Sequence, residues 1–88
     1  MPITLNSARA LRDGGIDAVA ALDAALGEAL ADLPAEMHSK TKLAIGRAMA
    51  AVLSETVEPA VQAYPELEPD KKTWSAVARA RAAKRANL

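Results

Sequence analysis

The side chains able to do chemistry in this 88-residue chain are few in type, with one histidine, His38, and no cysteine. A general base needs an oriented partner and a cleft, and the run PAEMHSKTKL around His38 supplies neither. Glu36, two residues away, would sit on a different side of a helix, and no second histidine exists to complete a nitrogen site for a metal. The sequence therefore predicts a structural role for His38. Ser7, Ser39, Ser54 and Ser75 stand in no GxSxG context. The four glycines form neither GxGxxG nor GxxxxGK[ST]. Acidic residues are plentiful, but on amphipathic helices they are ordinary solubilising groups. With no convergent titratable groups, the chain is expected to be no enzyme and to take no cofactor, metal or small-molecule substrate.

The strongest remaining chemical signal is charge. The C-terminal segment KKTWSAVARARAAKRANL, residues 71–88, carries six bases, no acid and the only tryptophan. The stretch from Asp13 to Glu36 carries six acids (Asp13, Asp17, Asp23, Glu28, Asp32 and Glu36) and no base. Lys40, Lys42 and Arg47 follow, then five acids between Glu55 and Asp70. Net charge is zero, yet the signs lie in blocks. Two uses of the tail compete. In one, Arg79, Arg81, Lys84 and Arg85 face Asp17, Asp23, Glu28 and Asp32, within one chain or across a dimer, steering association more than stabilising it. In the other, the tail neutralises nucleic-acid phosphates with release of counterions. A pI near 6.6 and the lack of interleaved aromatics favour the first.

These residues need elements to hold them. Asn6 to Asp13 has room for a short helical turn, capped by Asn6 or Ser7 and stopped by Gly14-Gly15. A second helix is expected from Ile16, because Ile16, Val19, Leu22, Leu26, Leu30 and Leu33 recur every three or four residues. Ala18, Ala21, Ala25 and Ala29 form a small-residue strip beside them. Leu33-Pro34 ends that helix, with Pro34 placed to open the next. From Pro34 to about Val57, Thr41, Ile45, Ala48, Met49, Val52 and Thr56 share a face, which makes this the longest helix. Pro59 must kink or break it. Asp70 caps the last helix, which runs to about Ala86, and Pro69 with Trp74 fits a hydrophobic staple.

The expected fold is all-α: a small helical bundle of three main helices plus a short N-terminal turn, one domain over residues 1–88. Alanine supplies 22 residues and phenylalanine none, so the core rests on Leu, Ile, Val and Met. Such a core stabilises weakly, and burying a second copy is a common remedy. A homodimer is expected. Trp74 is read as the anchor docking the last helix onto the two before it, and Met1, Met37 and Met49 as packing residues. Gly46 and Ala50, flanked by Leu53 and Lys42, would admit another backbone at close range. The segment MPITLNSARALRDGG has no apolar run after its charges, hence no signal peptide or membrane span is expected. The composition suggests a cytoplasmic, bacterial-style protein-interaction module such as an adaptor, chaperone-like or regulatory subunit. The alternative is a nucleic-acid-associated protein using the basic helix 71–88.

Overall fold

The computed structural model describes residues 3–87, and every regular element among them is helical. Helix α1 spans Leu5–Asp32, α2 His38–Val52, α3 Glu58–Ala63 and α4 Lys71–Ala86. Single 3-10 turns, Ala35–Met37 and Pro65–Leu67, lie in the connections, and a π turn, Leu53–Val57, joins α2 to α3 without a break. Three helical rods result, as the all-α reading expects, but α1 is the longest α-helix, with 28 residues. The body measures 45 × 29 × 22 Å, and its radius of gyration is 14.7 Å, where a compact chain of this length has about 12 Å.

The expected stop at Gly14-Gly15 does not occur. A glycine that ends a helix sits at positive φ, and no glycine here does. Helix α1 instead begins at a Thr4 cap, not at Asn6 or Ser7, and runs straight through both glycines. Thr4 and Ser7 cap reciprocally: the Ser7 amide donates to Thr4 Oγ1 at 3.1 Å and the Thr4 amide to Ser7 Oγ at 3.0 Å. There is thus no separate N-terminal turn and no new helix at Ile16.

Gly15 is present because α1 is crossed there by the π turn. A β-carbon at Gly15 would overlap Thr56 Oγ1 and lie 2.9 Å from Val57 Cγ2. The π turn in turn explains Pro59. Proline lacks an amide proton and its ring collides with the carbonyl four residues back. Widening the preceding turn, with the Glu58 amide donating to Leu53 O, places Pro59 in the first turn of α3, where neither defect matters. The helix neither breaks nor ends at Pro59, and continues to Ala63.

At the other end of α1, Leu33 is extended at ψ 145°, as a residue before proline should be, and its amide closes the helix on Ala29 O. Pro34 precedes the 3-10 turn and is not the first residue of the next helix, which starts at His38. His38 Nε2 donates to Leu33 O at 2.9 Å, satisfying a carbonyl in the turn between the rods.

The buried apolar residues are Ala8, Ile16, Val57, Ala60 and Leu67. Ile3 and Tyr64 pack against the cluster of Ala8, Ala60 and Leu67. Tyr64 Oη donates to Ile3 O at 2.9 Å, and Arg12 Nη1 to Leu67 O at 3.2 Å, tying the start of α1 to the segment after α3. Met37, expected to pack, is exposed; Met49 is half-buried; Met1 lies outside the described residues.

Asp70 caps α4 as the sequence predicts, its Oδ1 accepting from the Thr73 amide at 2.7 Å. That bond, to the backbone and then the side chain of Thr73, holds the Asp70 carboxyl below its ordinary value. A lowered folded pKa means the cap is complete above the usual carboxylate range and lost as pH falls through the folded value. The Thr73 amide resonance should therefore titrate with a midpoint below that of a free aspartate. In Asp70→Asn, which keeps the acceptor without the titration, it should stay still; an unchanged titration there would exclude the cap as its cause.

Candidate functional site

Helix α4 rests on α1 and makes no comparable contact with α2 or α3. None of its residues is fully buried. Trp74 is half-buried, and the helix that carries it packs mainly on α1. The contact leaves an open groove of about 410 Å³ lined by Asp13, Ala76, Val77, Ala80, Arg81 and Lys84. At its far end Arg85 Nη1 donates to Asp17 Oδ2.

The charge blocks therefore meet within one chain, but at a single pair. Asp17 is half-buried, whereas Asp23, Glu28 and Asp32 are exposed; Arg79 and Lys84 are exposed and Arg81 is half-buried. The ion pairs among the described residues are Arg12–Asp13 and Arg85–Asp17. With Arg85 more than half exposed, its pair contributes on the order of 0–1 kcal/mol. Most of the acidic row lies beyond the last turn of α4.

A second surface is larger. From Asp17 to Thr56, the length of an antiparallel hairpin of α1 and α2, no described residue is fully buried. The expected stripes are present: Val19, Leu22, Leu26, Leu30 and Leu33 on α1 and Ile45, Ala48, Met49 and Val52 on α2 are all half-buried. Each helix covers one side of the other there, so the stripes are covered only in part. Among the described residues Leu43 is the most exposed large apolar side chain, at 57%. It shares a flank of α2 with Gly46 and Ala50, both exposed, and a β-carbon on Gly46 would meet nothing within 4 Å. Within the chain, no close helix contact requires Gly46 to be small. Leu43 was not singled out from the sequence, although its spacing of three and seven from Gly46 and Ala50 marks the flank.

No group of three or more His, Asp or Glu side chains among the described residues is arranged to hold a metal ion. No helix among them is long and apolar enough to cross a membrane. His38 uses Nε2 on the Leu33 carbonyl. No family model, curated protein or solved structure matches this chain.

Proposed function

We propose that this chain is a non-enzymatic protein-interaction module that works by helix association, with the α1–α2 hairpin as its binding face. One observation carries the reading: forty consecutive residues, 17–56, form two amphipathic helices without one fully buried residue. A helix hairpin whose apolar seam is only partly covered gains by adding a helix from elsewhere. An adaptor or regulatory subunit presents such a face. A cytoplasmic setting suits a chain without cysteine.

Amide exchange tests this directly. In dilute protein, amides of residues 19–52 should exchange much faster than those around Ile16, Val57 and Leu67, and slow on association. Equal protection in a dilute monomer would mean that the hairpin is complete alone, and the reading would fail.

One observation favours a nucleic-acid role for α4: Lys71, Lys72, Arg79, Arg81 and Lys84 take part in no ion pair among the described residues. Deleting residues 79–88 should then abolish low-salt binding to labelled DNA or RNA. No binding by the intact chain at low salt excludes this second role.

A further inference from the structure

Resting on the interaction reading above, we infer that the occupant of the hairpin face is a second copy of this chain, and that two hairpins form an antiparallel four-helix bundle in which α1 of each copy lies beside α2 of the other. Charge and area both point to it.

The α1 arm beyond the reach of α4 is acidic only, with Asp23, Glu28 and Asp32, and the α2 arm is basic only, with Lys40, Lys42 and Arg47. All six are exposed and none has an ion partner among the described residues. At about 100° per residue, Asp23 and Glu28 bracket a flank of α1 bearing Ala24, Gly27 and Ala31, while Lys42 and Arg47 bracket the flank of α2 bearing Leu43, Gly46 and Ala50. In an antiparallel hairpin these two flanks fall on one face. A two-fold axis lying in that face and parallel to the helices sets acid against base twice, since the contact of α1 with the partner's α2 is repeated by symmetry. A surface carrying both signs in this arrangement is complementary to itself.

Area agrees. A compact folded chain of 9.2 kDa exposes about 4,900 Å², whereas this one exposes 6175 Å². The excess, roughly 1,200 Å², exceeds the ~800 Å² that each partner gives to a standard stable interface. The hairpin and α4 are the long stretches without a buried residue.

The test is a charge exchange between copies of the full chain. One variant carries Asp23→Lys, Glu28→Lys and Asp32→Lys; the other carries Lys40→Glu, Lys42→Glu and Arg47→Glu. Each alone sets like charges together, and its self-association should be at least about 100-fold weaker than that of the original chain. Mixed in equal amounts, the two should form a heterodimer. Leu43→Lys, at an exposed site where folding is indifferent, should by itself weaken association about tenfold or more while the helix signal and melting temperature hold. Reversed variants that self-associate as tightly as the original, folded variants that fail to pair on mixing, or an indifferent Leu43→Lys would each overturn the inference. A monomeric original chain with fast-exchanging hairpin amides would also overturn it, yet leave the interaction reading standing with another protein as occupant. A monomer with slow-exchanging hairpin amides would remove both.

Discussion

Gly15→Ala is expected to destabilise the protein by about 2–3 kcal/mol, lowering its melting temperature by roughly 10–20 °C. Alanine is the better helix former by about 1 kcal/mol, so any loss must come from packing. The added methyl would enter the space held by Thr56 Oγ1 and Val57 Cγ2. Neither is the loose end of a flexible side chain, because both belong to the π turn that lets α2 run on through Pro59. The rods would have to move apart next to Ile16, the one large side chain among the described residues that is fully buried. Gly14→Ala is the control. A β-carbon there meets nothing within 4 Å, so this change should be neutral or stabilise by up to about 1 kcal/mol. Thermal or urea unfolding of the pair checks the contrast. Equal effects at the two glycines would show that α1 and the π turn do not meet at Gly15.

Ile16→Ala should cost about 2–4 kcal/mol, out of a total that for a chain of this length is on the order of 5–10 kcal/mol. Ile16 is completely covered, and the other buried apolar residues are two alanines, Val57 and Leu67, so little nearby can collapse into the space left behind. The truncated protein is expected to unfold well below the melting temperature of the original. Leu43→Ala removes a larger apolar group than most surface changes do, yet should move monomer stability by less than about 0.5 kcal/mol because Leu43 is mostly in water. Chemical denaturation in dilute solution separates them. A loss at Leu43 as large as at Ile16 would place the core in the wrong half of the molecule.

The two apolar stripes and the Asp70 cap were legible because their signals are local: helical spacing of large side chains, and an acceptor placed three residues before an unpaired amide. Gly14-Gly15 misled for the opposite reason. The same dipeptide serves as a helix stop or as a site of close approach, and only the partner, Thr56 and Val57 some forty residues on, decides between them. Ala8 and Ala60 are likewise invisible as core residues among 22 alanines, since nothing in the spacing marks these two. Pro59 announced a disturbance correctly, but its cure by a widened turn depends on backbone hydrogen bonds that residue types do not encode.

For the candidate surfaces, the block pattern of charge was readable and its meeting point was not. Arg85 with Asp17 is one of the pairings the blocks allow, and it is fixed by how far α4 travels along α1. That same geometry leaves Asp23, Glu28 and Asp32 exposed on the hairpin, beyond the tail. The homodimer expected from a weak core is thereby proposed at a specific surface. The charges that bracket it suit a second copy, and Leu43, exposed between them, would supply apolar contact.

The most direct measurement is the absolute mass of the intact chain by light scattering, from low to high micromolar concentration, at low and at high salt. The expected result is a particle of twice the 9.2 kDa chain mass that persists at high salt, because apolar burial holds it, with a dissociation constant that rises as the acid–base contacts are screened. A mass equal to one chain at every concentration and both salts would contradict self-association through the hairpin face.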